Sequence, residues 1–137
     1  MLKVLQPDGW AKPRGYANGI AARGTHVAVA GQIGWNAQCQ FESDDFADQA
    51  RLALSNVVAV LREAGAGPEH IVRMTWYVTS KREYLDAGKR LGAAYRELMR
   101  KPDGEIAFPA MTAVEVSALI EDRAKVEIEV TAIVPDA

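Results

Sequence analysis

The sequence predicts an α+β fold, a mixed β-sheet with two helices packed on one face, in a single domain spanning residues 1–137. Three observations carry this. A chain of 137 residues is long enough for one hydrophobic core and short for two. Its 49% hydrophobic and 25% charged residues are the mix of an ordinary globular chain. Apolar spacing also changes along the chain, giving the order strand, helix, strand, helix, strand pair.

The stretch through Gly24 is punctuated by Pro7, Gly9, Pro13, Gly15 and Gly19 and reads as extended loop or edge strand. A strand follows at His26–Ala30, closed by Gly31, and polar loop runs from Gly34 to Ser43. Ser43 caps the first helix, with Asp44, Asp45 and Asp48 in its first turns, where the helix dipole favours anions. Phe46, Ala50, Ala53, Leu54, Val57, Leu61 and Ala64 recur on its inner face, and Gly65, Gly67 and Pro68 stop it. Ile71–Thr79 is a strand with Val72, Met74, Trp76 and Val78 on one face and Ile71, Arg73, Thr75 and Tyr77 on the other. A second helix runs from about Lys81 to Arg100 with Tyr84, Ala87, Leu91, Ala94, Tyr95 and Leu98 inward. Gly88 and Gly92 lower its propensity and mark a close approach to another element. Thr112–Leu119 and Lys125–Ile133 form a hairpin through the charged turn Glu121-Asp122-Arg123. The second sheet face carries apolar residues, Ile71 and Tyr77, among polar ones, so a homo-oligomer that covers it is expected.

Several function classes are excluded at once. A net charge of -2 and a pI near 5.7 give no basic footprint for nucleic acid. No apolar run approaches the roughly 20 residues of a membrane-spanning helix. Met1–Trp10 lacks the charged-then-apolar order of a signal peptide, so a cytoplasmic protein is expected. One cysteine, Cys39, excludes an internal disulfide and a Cys-rich zinc site. His26 and His70, read as surface groups, leave few candidates for a catalytic metal or a Ser-His-Asp triad. Phosphate-loop, dinucleotide and nucleophile-elbow motifs are absent; Gly31-Gln32-Ile33-Gly34 is too short and has no helix after it.

The candidates for chemistry are few. Glu127 and Glu129 share one strand face roughly 7 Å apart. Desolvated at a subunit interface, such carboxylates serve as acid or base; solvated, they are a strand face paired with Lys125. Tyr16, in the leader, fits either a binding loop or an edge packing position. Trp35 and Trp76 read as core or interface residues rather than pocket walls, and Cys39 as an inert thiol.

Taken in order, Gly15-Tyr16, Ala30-Gly31-Gln32, Gln49 through Asn56-Val57 on a helix ending Ala64-Gly65, Pro109-Ala110, Val114-Glu115-Val116 and Val126-Glu127-Ile128-Glu129 resemble the Rid family. That family of reactive-intermediate deaminases is also called the YjgF or endoribonuclease L-PSP family. The resemblance covers about Tyr16 to Ile133. It implies a chorismate-mutase-like fold and a homotrimer with three clefts between subunits, the helices lying outside. It implies hydrolysis of enamines and imines to carbonyl compounds and ammonia, with no metal or cofactor. It assigns water positioning or proton transfer to Glu127, a cleft role to Tyr16, and a pocket-defining backbone amide to Gly31.

The departures are as informative. Met111 stands where deaminating members hold the substrate carboxylate with arginine, and a thioether cannot replace that bidentate fork. Ala30 replaces a cleft serine, Gly92 an asparagine, and Ala113 a cysteine. A drier, larger pocket follows, so the expected activity is hydrolytic deamination of a small-molecule imine or enamine other than the usual 2-imino acids. Arg14 is the cation offered for a carboxylate carried elsewhere. The alternative is a non-catalytic ligand-binding trimer. A ribonuclease or translation inhibitor is disfavoured by the acidic pI.

Overall fold

A computed structural model describes residues 2–136. In the leader, β1 (Lys3–Leu5) and β2 (Gly19–Ala21) pair antiparallel as a small separate sheet. The main sheet has four strands, β3 (Thr25–Ile33), β4 (Ile71–Val78), β5 (Ala110–Glu115) and β6 (Val126–Val134), in the spatial order β3-β6-β4-β5. Pairing is antiparallel from β6 to both β3 and β4, and parallel between β4 and β5. Between the strands come α1 (Phe46–Glu63), α2 (Lys81–Asp86) and α3 (Gly88–Leu98). The α+β class and the mixed sheet are as the sequence predicts.

The expected terminal hairpin does not form. Its two strands are separated by β4, and the ten-residue link 116–125 passes the end of β4 instead of turning tightly. Val116 N–H bonds Val78 O at 2.8 Å and Thr79 N–H bonds Lys125 O at 3.1 Å, so both strands flank the same strand end. Alternation on β6 reports that one face is buried; it carries no information about which strand lies alongside.

Helix α1 supplies most of the cover. Its predicted inner residues are buried except Ala64, which is its C-cap. The N-cap is Asp45 rather than Ser43: Asp45 accepts Asp48 N–H at 2.9 Å, and Ser43 Oγ accepts Asp45 N–H one step earlier. Gln49 and Asn56, two turns apart on one side of the helix, tie it to the sheet. Gln49 Nε2 donates to Ser43 O and Arg123 O, and its Oε1 accepts Lys125 N–H at 2.8 Å, so this fully buried amide is satisfied at both ends. Asn56 Nδ2 donates to Ile33 O and Trp35 O. Gly34 permits the fit, since a Cβ there would lie 2.5 Å from Gln49 Cα.

Two bulges refine the predicted faces. Strand β3 does not end at Gly31. It continues to Ile33 past an extra residue between Val29 and Gln32. On β4 a register shift between Ile71 and Arg73 turns Ile71 inward with Met74, Trp76 and Val78, all buried, and leaves Val72 on the other face. The second predicted helix is two: Ala87 closes α2 and opens α3. Among the described residues no helix is long and apolar enough to cross a membrane.

Two measurements check this packing. Leu61 is completely buried, so Leu61→Ala should cost about 2–5 kcal/mol in denaturant unfolding. The Arg90 guanidinium, then the Asp48 N–H, hold the Asp45 carboxyl below its usual range. A carboxyl depressed in the folded state stabilises above its unfolded pKa, roughly 3.9, and loses that contribution as pH falls through the folded value. Asp45→Asn keeps the capping oxygen, so its denaturant midpoint should fall below wild type at pH 7 and converge with it in strong acid.

Candidate functional site

The sheet divides the candidate residues between its two faces. Val126, Ile128, Val130 and Ala132 of β6 face the helices and are buried, so Glu127, Glu129 and Thr131 face away. Glu127 is half-buried, opposite Ile33 on β3 and Tyr77 on β4. The β3 bulge brings Gly31 against it: a Cβ on residue 31 would sit 2.1 Å from Glu127 Oε2. Only glycine leaves that carboxylate where it is. The two residues read from the sequence as carboxylate and pocket-defining amide are therefore in direct juxtaposition.

Glu129 is differently placed. The Tyr77 hydroxyl donates to its Oε1 at 2.6 Å, and that bond, followed by burial, holds the Tyr77 phenol above its ordinary range. Glu127 makes no side-chain hydrogen bond among the described residues. The two carboxylates thus cease to be equivalent, a distinction with no trace in their spacing. Neither is paired with Lys125, whose ammonium bonds Glu83 at 2.9 Å.

Met111 lies elsewhere. Its register partner is Met74 on β4, which puts it on the helix-facing side, and it is half-buried against the core. There it lines a pocket of about 390 Å3 between α2–α3 and β4–β5, walled by Trp76, Tyr84, Leu91, Tyr95 and Phe108. Trp76 is buried, as expected, and is also a wall of this pocket. Gly88 and Gly92 line the same space. A Cβ at Gly88 would meet nothing within 4 Å, and the atoms nearest a Cβ at Gly92 belong to Arg96 of the same helix, so neither marks the expected close approach to another element.

The leader reaches this pocket. Ala17 N–H bonds Pro109 O at 2.9 Å, bridging Ala17 to Ala110 at the start of β5, and Gly15 lines the pocket. Tyr16, between them, is 42% exposed. Arg14 is exposed and forms no ion pair among the described residues. Of the replaced positions, Ala30 and Ala113 are exposed, on β3 and β5 respectively. Cys39 is an exposed free thiol in the loop before α1, and Trp35 packs against Phe41. His26 is exposed on β3 as expected, whereas His70 is half-buried and its Nδ1 accepts Gly67 N–H at 3.0 Å.

Within one chain, then, Gly31 and Glu127 occupy one face, Met111 the other, and Tyr16 and exposed Arg14 lie in the leader. The structure does not bring the five candidates into a single pocket. What the sequence reading missed is the aromatic lining; the helical spacing of Tyr84, Leu91 and Tyr95 signals only that they point inward.

Comparison with known proteins fits this geometry. The Endoribonuclease L-PSP family model matches residues 11–134. A 2-iminobutanoate/2-iminopropanoate deaminase of Salmonella typhimurium is 30% identical over 118 residues, 86% of each chain. The Rid family protein YyfB of Yersinia pestis, of unknown function, superposes with a TM-score of 0.75 at 27% identity, covering 97% of this chain and 98% of its own. TdcF of E. coli, solved with bound serine, superposes at 0.66 with 29% identity, covering 96% and 98%. A shared fold, near-complete mutual coverage and a family match from residue 11 to 134 lead to one conclusion: the chain belongs to the Endoribonuclease L-PSP family, the Rid or YjgF group of proteins.

Proposed function

We propose that the protein hydrolyses a reactive imine or enamine to a carbonyl compound and ammonia, on a substrate other than the usual 2-imino acids. The observation that carries this reading is the half-buried Glu127 carboxylate. It is set against Gly31 and has no hydrogen-bond partner among the described residues, while its neighbour Glu129 is held by Tyr77. Water addition to a C=N bond needs a water held in line and a group that moves a proton. Glu127 fills both needs. It accepts a proton as the water oxygen bonds to the imine carbon and returns it to nitrogen, giving a carbinolamine. It then takes the hydroxyl proton and passes it to nitrogen, so that the carbon–nitrogen bond breaks and ammonia leaves as the carbonyl forms.

The assembly in this reading is a homotrimer in the cytoplasm. Two half-sites on opposite faces of one sheet complete each other when the Glu127 face of one subunit meets the Met111 face of the next. The reaction of the Salmonella relative supports the class, and the serine bound to TdcF supports a small ligand. Tyr16 closes the cleft beside Pro109. Met111 sets the difference in substrate, offering a soft apolar contact where a carboxylate would need a cation.

A second reading, ligand binding without catalysis, has one observation in its favour: the pocket around Met111 is predominantly apolar in its lining. Ammonia release from freshly generated imines, with and without a carboxylate, separates the two. Turnover should fall about 100- to 10,000-fold in Glu127→Gln, the range of a lost general acid–base. Gly31→Ala should act in the same direction, by displacing the carboxylate, with little change in stability. Met111→Arg should raise turnover of 2-imino acids. No turnover from any imine, in a folded wild-type protein, would establish the binding reading instead.

A further inference from the structure

The pocket between α2–α3 and β4–β5 has more structure than an apolar patch. Its walls are two aromatic pairs. Tyr95 and Phe108 stack nearly parallel, with centroids 5.8 Å apart and planes 12° from each other. Trp76 and Tyr84 meet edge to face at 6.0 Å. Phe108 is 44% exposed and Leu85 61%, so apolar surface at the mouth remains uncovered in the chain. A volume of about 390 Å3 lies within the range of small-molecule sites.

Three further features indicate what would occupy it. The two glycines on its helical side have no packing partner that requires them. Gly88 faces open space, and the nearest atoms to a Cβ at Gly92 belong to the Arg96 guanidinium, 3.2 Å away. Glycine weakens a helix, and here it keeps the cavity clear. Trp76 Nε1–H is buried without an acceptor, the single such side-chain atom among the described residues. A buried donor left unpaired is costly and is relieved by any acceptor that reaches it. The nitrogen is closed off from water, so an acceptor gains it by displacing a side chain of the pocket wall. Arg96 lies at the pocket and makes no ion pair among the described residues.

We propose that this pocket selects substrates with an aromatic ring, and that Trp76 and Arg96 are its specificity-determining residues. The ring lies among the four aromatic side chains, an oxygen acceptor takes Trp76 Nε1–H, and a carboxylate pairs with the Arg96 guanidinium. The substrate class is therefore an aromatic 2-imino acid or its enamine, distinct from the small aliphatic 2-imino acids of the Salmonella relative, its anionic end held from α3 rather than from β5. This deepens the reading above and rests on it for the reacting group; the binding preference stands by itself. It also moves the cation from Arg14, in the leader, to Arg96.

Calorimetric titration of the assembled protein with stable carbonyl probes tests the assignment. Phenylpyruvate supplies ring, ketone and carboxylate; pyruvate lacks the ring, 3-phenylpropionate the ketone, and phenylacetone the carboxylate. Phenylpyruvate should bind at least tenfold tighter than pyruvate. Trp76→Phe should weaken phenylpyruvate about tenfold, leave 3-phenylpropionate unchanged, and leave the melting temperature equal or higher, because it deletes an unpaired donor. Arg96→Gln should weaken both acids and spare phenylacetone. Gly88→Leu fills the cavity from a position where an added Cβ meets nothing within 4 Å, and should abolish all ring-dependent affinity. Equal affinity for pyruvate and phenylpyruvate would overturn the proposal, as would ring binding indifferent to both Trp76→Phe and Arg96→Gln, or loss of acid binding in Arg14→Ala instead of Arg96→Gln. Turnover of small imines with no ring preference sinks this inference alone. Ring-selective binding with no ammonia release from any imine sinks the hydrolase and leaves the pocket.

Discussion

Strand β6 is the last element of the chain and has a neighbour on both sides, β3 and β4. Everything else is arranged around it. The two strands that flank it come from distant parts of the sequence, each delivered with a helix that covers the same face. Gln49 of α1 bonds the backbone on either side of Ala124, where the chain turns into β6, so the first helix fixes where the last strand begins. Because that amide is buried, losing either bond would strand polar backbone away from water. The sheet cannot close until the C-terminal third is in place, which is the source of the fold's many long-range contacts.

Burying one face of β6 leaves the other to chemistry. Alternation places Val126, Ile128, Val130 and Ala132 under the helices and thereby sends Glu127 and Glu129 to the opposite side, at no cost to the core. The same constraint separates Glu127 from Met111, since β5 joins the sheet with Met111 beside inward-facing Met74. A single chain holds two unlike half-sites. One presents a carboxylate against a glycine, the other aromatic rings around a mainly apolar cavity. In the proposed assembly the two faces meet between copies of the chain, and their polarities suit different parts of one substrate.

Local patterns were legible in the sequence where local physics decides them. Helix α1 follows from its apolar spacing and the glycines that end it, and β4 and β6 from their alternation. Ser43 was one step removed from the true cap because Asp45 has the same chemistry and sits nearer the first apolar residue. Pairing was not legible: nothing in Thr112–Leu119 tells a parallel neighbour from an antiparallel one, and a charged turn suggested the shorter path. The bulges at Ile71/Arg73 and Val29/Gln32 were equally hidden, since an extra residue reverses a face without altering composition. At the site, Glu127 stood out with Glu129 on one strand face and Gly31 came from resemblance, and their contact appears only once β3 and β6 are paired. The orphaned Trp76 nitrogen has no sequence signal at all, because it is defined by an acceptor that does not exist.

The strand at the sheet's margin has a consequence of another kind. Beyond its bridge to Ala17, β5 carries one side of its backbone unpaired from Met111 to Glu115, and Val114 on it is 40% exposed. Such an edge is a template for any extended chain that meets it, with Glu115 alone to repel one. The protein's colloidal behaviour should therefore depend on whether neighbouring copies occupy that margin. Dilution or partial unfolding, by freeing it, trades an orderly neighbour for an indiscriminate one.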